Sequence, residues 1–429
     1  MARNKQSFID AVVKESRKGG TVPMTLTELR ASQYSLPLQH LSLQHLFCAS
    51  GIRFGSVYMI QGPPQSNKSA FLFYLLRLMA ANMDDGGLDG FSFLSELETK
   101  ISPTLLESFM DKPYLVEGDA APFHVYREDT LEGCLGTFSD YLQKYKDTVP
   151  GRDIPLAWGF DSLGGAATEE GLKQMEESGA QGRGFGTKAI TLKNFFETYS
   201  AFTSGLPLIT FCVNHEKKPM ATPGGPMVPA YARGQATGGD SQKFKASQNF
   251  RLSGQDMPNK LGRKINIITY KNSFGGERKI QVDFTWQVPT ADDPKQYHKW
   301  HFAKASADLL ANPPTGTVQA IRDVCNVTYA SDGKRLNCQQ LGISMGQPEE
   351  IDQALMSNTR ILEAVQSILG IERIQSFDEY LESQKISQEA QKEAKKAVKK
   401  ATKKPVEVAQ VVAPTVDGLT AMMEQETKK

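Results

Sequence analysis

The chain is poor in several features that would mark a protein class. Its five cysteines, Cys48, Cys134, Cys212, Cys325 and Cys338, are scattered and form no CxxC pair. That spacing excludes a disulfide framework and a cysteine-based zinc cluster, and suits a reducing compartment. The six histidines show no metal-ligand spacing either. No window approaches the roughly 20 apolar residues of a membrane helix. The first stretch, MARNKQSFIDAVVKESRKGG, carries charge throughout, unlike a signal peptide. Net charge is only +1 over 429 residues, so nucleic-acid affinity would have to be local. The expectation is a soluble, cytoplasmic protein of about two or three domains, with no membrane partner.

What is present is an alternation of short apolar runs with longer helical segments between about residues 50 and 290. It predicts βαβ units and an α/β fold with a mostly parallel sheet. The runs are SVYMIQ (56–61), GFSFLSE (90–96), PLAWGFD (155–161), LPLITFCVN (206–214) and KINIITYK (264–271). RKIQVDFTW (278–286) follows the last across Phe274-Gly275-Gly276, which predicts a β-hairpin at one edge. Ahead of this core, Phe8, Ile9, Val12 and Val13 have helical spacing and stop at Gly19-Gly20. They read as a short amphipathic helix on a tether within residues 1–34. Residues 291–384 read as a small helical domain. Residues 385–429 read as a disordered tail, with eight lysines against two glutamates over 385–404.

One stretch carries chemistry directly. GPPQSNKS (62–69) lies between an apolar run and a helical segment and follows the spacing G-x-x-x-x-G-K-[ST], with Asn67 at the second glycine. Such a loop holds phosphates on backbone N–H groups, places Lys68 near the β/γ positions and turns Ser69 toward Mg2+. A second strand should supply an acid to the metal, and PLAWGFD ends in Asp161. An attacking water needs a base, and SELETKISP offers Glu96 and Glu98 at a strand end; spacing does not choose between them. A strand ending in Asp is common and strand-end glutamates are usually just solvated. The order of the signals carries the inference.

The fourth run ends in Asn214-His215 and opens into a Gly- and Pro-rich stretch of about 25 residues, a length that is usually functional or disordered inside a compact domain. It carries Lys217, Lys218, Tyr231 and Arg233. A second glycine-rich stretch, SGAQGRGFGTKA (178–189), carries Arg183, Phe185 and Lys188. Cations interleaved with aromatics suit single-stranded nucleic acid, where phosphates meet charge and bases meet π-faces. Both stretches also suit the bland reading, a solvated surface loop.

In this succession the chain resembles the RecA recombinase family over about residues 35–290, and more weakly into 300–385, being most similar to the UvsX type found in phages. GPPQSNKS is similar to the UvsX-type loop G-P-x-x-S-x-K-S, which lacks the second glycine. GFDSLGG resembles the family's second acidic strand, and SELETKISP its acid followed by an I-[TS]-P turn. VNH (213–215) resembles the family's γ-phosphate-sensing position, and ATGGDSQKFKAS (236–247) the end of its second DNA-binding loop.

The resemblance implies a RecA-like P-loop NTPase core with flanking helices, a short N-terminal helix and a small α-rich C-terminal domain. It implies ATP and Mg2+ as cofactors. The cofactor residues would be Gly62, Pro63, Pro64, Gln65, Ser66, Asn67, Lys68, Ser69 and Ala70, with Ser69 and Asp161 on the metal. Counting back from Pro103, the base falls on Glu98, with Lys68 and His215 completing the catalytic set. Loops 164–188 and 216–239 would bind DNA, and helix 5–17 would dock on a neighbouring subunit. Lys271 falls where the family carries two lysines that reach the neighbour's ATP; Ser273 takes the second position.

The implied function is an ATP-dependent recombinase that forms helical homo-oligomeric filaments on single-stranded DNA and exchanges strands with a homologous duplex. Mediator and single-strand-binding proteins would be its partners, and a host cell's cytoplasm its place if phage-encoded. Two alternatives share the core. One is a hexameric DNA helicase, which would call for a sizeable helical domain ahead of the loop. The other is an ATP-binding DNA-filament protein without strand exchange, against which the full set Lys68, Ser69, Asp161 and Glu98 speaks.

Overall fold

Short apolar runs bounded by turn residues become strands covered on both faces, and one large sheet is built from them. The computed structural model describes residues 29–30, 32–80, 90–98, 100, 101, 103, 106, 108, 122–178, 186–217, 235, 236, 241–258, 260–286 and 298–402. The first elements are β1 (Ser35–Pro37), α1 (Leu41–Phe47), β2 (Gly51–Arg53), β3 (Val57–Gly62), α2 (Lys68–Ala80) and β4 (Phe91–Glu96). Next come β5 (Phe123–Arg127), α3 (Leu131–Thr148), β6 (Leu156–Asp161), α4 (Glu169–Ser178), α5 (Thr187–Thr203) and β7 (Leu208–Lys217). β8 (Gln235–Ala236), α6 (Ser241–Lys245), β9 (Gln248–Asp256), β10 (Gly262–Asn272), β11 (Arg278–Trp286) and β12 (His298–Trp300) complete the sheet region.

The ten-stranded sheet has the order β12-β11-β10-β9-β3-β7-β6-β4-β5, with β8 paired to β7 off this path. The strands from β5 to β9 pair in parallel, and β9-β10-β11-β12 continue antiparallel. This is an α/β fold with a mostly parallel central sheet flanked by helices. The six expected strands all form, and β10 and β11 pair as the expected hairpin. β5, β8, β9 and β12 are additional.

Strand periodicity decides what faces the site. In β6, Leu156, Trp158 and Phe160 join the core under α3 and α5, which also holds Phe138, Leu142, Leu192 and Phe196. Asp161 therefore projects from the opposite face, toward α2. That face packs Phe71 against Phe250 and Trp300, and the Trp300 indole donates to the Ala70 carbonyl at 3.3 Å. Each such fully buried side chain contributes about 1.5–3 kcal/mol, so the helix that follows the 62–69 loop is held firmly on the sheet.

Beyond the sheet come α7 (Phe302–Ala311), α8 (Val318–Val324), β13 (Thr328–Tyr329), β14 (Leu336–Cys338), β15 (Ile343–Gly346), α9 (Pro348–Ser357), α10 (Thr359–Leu369) and α11 (Phe377–Thr402). The expected small helical domain thus also contains a three-stranded sheet. Its core, including Leu310, Ile351 and Leu369, takes in Leu41 from α1, so the 291–384 segment is keyed to the start of the expected core. The described residues up to Tyr380 form one compact unit and those from Leu381 to Thr402 a second. In the second, residues 385–402, assigned by composition to a disordered tail, are helical: strong helix formers with Glu and Lys a turn apart extend α11. Helix 5–17 and residues 405–429 lie outside the described residues. Among the described residues, no helix is long and apolar enough to cross a membrane.

Candidate functional site

Parallel strands bring their carboxyl ends to one edge, and four of them meet there. The register sets Gly62 of β3 opposite His215 of β7, and Glu96 of β4 opposite Asp161 of β6. Their loops open on a cavity of about 920 Å³. Lys68, Ser69, Asp161, Glu98 and His215 all line it. These residues, singled out in the sequence, are thus brought together in space.

The loop itself explains its departure from the glycine pattern. Asn67 has φ 63°, in the left-handed region. Asn adopts that conformation more readily than other non-glycine residues, because its short polar side chain can bond locally. Asn67 therefore takes the backbone role of the second glycine. Gly62 is needed for room: a Cβ there would sit 2.4 Å from the Leu252 carbonyl oxygen and 2.6 Å from Ser66 Oγ. From β10, Arg263 donates to the Gln65 carbonyl and to Asn67 Oδ1 at 3.4 Å, fastening the loop from outside.

Charge and exposure give the loop a clear preference. Lys68 is buried (6% exposed) and its Nζ donates to the Pro63 carbonyl at 2.8 Å. It also opens helix α2, whose first turn has no acidic residue, so a positive charge stands at the positive end of the helix dipole. Burial lowers the lysine's pKa, against the raising influence of Asp161, Glu98 and Glu216. Ser66 Oγ is buried with no hydrogen-bond partner among the described residues. A cramped glycine, an orphaned hydroxyl, a buried ammonium and free helix N–H groups together favour an anion with several acceptor oxygens.

Across from the loop, burial raises the pKa of Asp161 to about 6; a hydrogen bond from Ser69 opposes this and the Glu98 charge adds to it. Ser69 and Asp161 form a pair of hard oxygen donors of the kind Mg2+ uses alongside phosphate oxygens. Among the described residues no cluster of three or more His, Cys, Asp or Glu could hold a metal alone. Glu98 accepts from His215 Nε2 at 2.5 Å, from Ser162 Oγ and from Lys100 Nζ. Burial raises its pKa, but the bonds from Lys100, Ser162 and His215 outweigh this and hold it down at about 2. Gly165 leaves space for this carboxylate, since a Cβ there would stand 2.3 Å from Glu98 Oε1. Glu96, the other candidate base, is turned away: it accepts from Arg127 and from the Ile101 N–H.

His215 leads away from the cavity. Its backbone N–H bonds Asn214 Oδ1 at 2.7 Å, and Asn214 Nδ2 donates to Gln242 of α6 at 2.6 Å. The 216–239 stretch is closed at its base by β7 pairing β8, Glu216 with Ala236 and Lys217 with Gln235. Lys188, near the start of α5, donates to the Gly164 carbonyl at 3.0 Å, just beyond Asp161. Arg183, Phe185, Lys218, Tyr231 and Arg233 lie outside the described residues. Lys271 does not line this cavity: it sits near the far end of β10, roughly 30 Å along the strand from Gly262, and donates to the Phe244 and Ala246 carbonyls.

The sequence reading missed the cavity's second wall. Met257 from the β9–β10 turn and Arg263 at the start of β10, with Phe284, Trp286 and His298, line it. Phe284 and His298 stack at 5.7 Å. The expected hairpin held the signal: β10 runs antiparallel to β9, so its first residues and the last of β11 return to the loop end of the sheet. No family model matches the chain, and no curated protein matches it.

Proposed function

We propose that the protein is an ATP-dependent DNA recombinase of the RecA type, built on a P-loop NTPase core. It would form helical filaments of its own chain on single-stranded DNA and pair that strand with a homologous duplex. One observation carries the reading. Lys68, Ser69, Asp161, Glu98 and His215, singled out in the sequence by motif order and by the family resemblance, line a single cavity.

The residues have distinct tasks. The 62–69 loop and Lys68 hold the phosphates, and an anion there relieves the cost of a buried ammonium at a helix N-terminus. Ser69 and Asp161 would hold Mg2+, which neutralises phosphate charge when bound. Glu98, ionised at neutral pH, orients and polarises the water that attacks the terminal phosphate. His215 touches that carboxylate, and its neighbour Asn214 touches α6. The state of the phosphate can therefore reach the segment between β7 and α6, where Lys217, Lys218, Tyr231 and Arg233 would meet DNA. The strand is held by its backbone, so sequence is read by base pairing. Binding should weaken steeply with salt. Mediator and single-strand-binding proteins are the partners such a filament calls for.

The experiment is electron microscopy of the full chain on single-stranded DNA with a non-hydrolysable ATP analogue. Long helical filaments are expected. Discrete rings would favour the helicase alternative, and bare DNA would overturn the reading.

A further inference from the structure

We propose that Glu96 and Arg127 are positioning residues that clasp Ile101 and thereby fix the Glu98 carboxylate in the cavity. The proposal rests on the reading of Glu98 as the base and adds two residues to which that reading gives no role.

Glu96 ends β4 with its side chain 1% exposed, and the register places it between Arg127 of β5 and Asp161 of β6. A carboxylate so buried needs partners for both oxygens. Arg127 Nε donates to Oε2 at 2.7 Å, and the Ile101 N–H donates to Oε1 at 2.5 Å. Arg127 Nη2 then donates to the Ile101 carbonyl at 2.5 Å. The three groups close a ring around one peptide position. An ion pair serving only to join β4 to β5 would spend its remaining bonds within the sheet or on solvent. Here the spare bond of each partner goes to Ile101, beyond the strand end.

Leu97 is tied as well, its N–H bonding the Asp161 carbonyl at 2.9 Å. Glu98 and Lys100 therefore lie between two anchored residues, Leu97 and Ile101. One anchor is the backbone of the residue proposed to hold the metal, and the other is the clasp. With its carboxylate packed against Gly165, Glu98 is free neither to rotate nor to retreat. A shift of about 1 Å at such a group costs on the order of 100-fold in rate.

The test compares full-length wild type with R127Q, R127K, E96Q, E98Q and the R127Q/E98Q double variant. ATP turnover and amide hydrogen exchange of residues 97–101 are measured for each. R127Q is expected to lower kcat by about 10–100-fold with KM within about 3-fold, and to speed exchange of the segment. R127K, which keeps the charge with fewer donors, should recover part of both, and E96Q serves if R127Q does not fold. In the E98Q background the loss from R127Q should vanish, an outcome that general loosening of the sheet edge would not give. Unchanged exchange in both R127Q and E96Q would overturn the clasp, as would losses that multiply in the double variant. Wild-type turnover by E98Q would instead overturn the base assignment.

Discussion

Nε2 of His215, on β7, lies 2.5 Å from Oε1 of Glu98, although 117 residues separate them in the chain. The contact joins the cavity to the strand that continues into the β7–β8 segment. Replacing His215 by Ala removes the join and leaves Ser162 and Lys100 on the carboxylate. Under the proposed function, the expected outcome is basal ATP hydrolysis within about 10-fold of wild type and none of the stimulation by single-stranded DNA that the wild type should show. Steady-state ATPase with and without DNA measures both. Stimulation equal to wild type would remove His215 from the coupling.

Asn67 makes a separate prediction for the proposed nucleotide, through its left-handed backbone. Gly fits that conformation, whereas a β-branched residue there costs about 1–2 kcal/mol. N67G should therefore bind nucleotide within about 3-fold of wild type, losing only the long contact to Arg263. In N67V the empty loop escapes that cost by leaving the left-handed conformation and must incur it to bind, so binding should be about 10-fold weaker. Equilibrium titration with a fluorescent ATP analogue separates the two.

How much could be read in advance follows from where the physical signal lay. β3, β4, β6 and β7 are buried on both faces, so each is a run of apolar residues whose polar end marks the functional edge. β9 sits equally deep, yet it reads QNFRLSGQD and begins with buried Gln248 and Asn249. Its polarity hid a central strand. β5 is the sheet's outer strand, buried only at Phe123 with half-buried and exposed residues alternating after it, so nothing in the sequence sets Arg127 apart from a surface charge. The spacing of Glu96 and Glu98 could not assign the base, because the choice depends on bonds to Arg127 and Ile101 that only the folded chain makes. The same holds for Trp286 and His298, which reach the cavity through hairpin topology.

The core under α3 offers a test of packing alone. Trp158 is fully buried and its indole N–H donates to Ser95 Oγ at 2.9 Å. Ser95→Ala removes the acceptor without removing the ring, leaving a buried donor unpaired at a cost of about 1–3 kcal/mol. Trp158→Ala should cost about 3–5 kcal/mol, since it opens a cavity among Phe93, Phe138 and Tyr141. Urea unfolding of the nucleotide-free chain reads both values. An S95A loss smaller than about 0.5 kcal/mol would mean that the indole finds another acceptor.

His45 gives the fold a pH dependence separate from the site. It is buried in α1, and its Nδ1 has no hydrogen-bond partner among the described residues. Burial, aided by the charge of Arg278, lowers its pKa from 6.5 to about 4. The folded state therefore binds a proton less readily than the unfolded state. Stability from this residue is complete above about pH 6.5 and is lost as pH falls toward 4. By pH 5 the loss should be about 2 kcal/mol. Urea unfolding at pH 7.5 and pH 5, repeated with His45→Gln, isolates the contribution, because the variant keeps a polar side chain that does not titrate. The difference between the two pH values should shrink by that amount in the variant. An identical difference in both proteins would show that the acid sensitivity of the fold arises elsewhere.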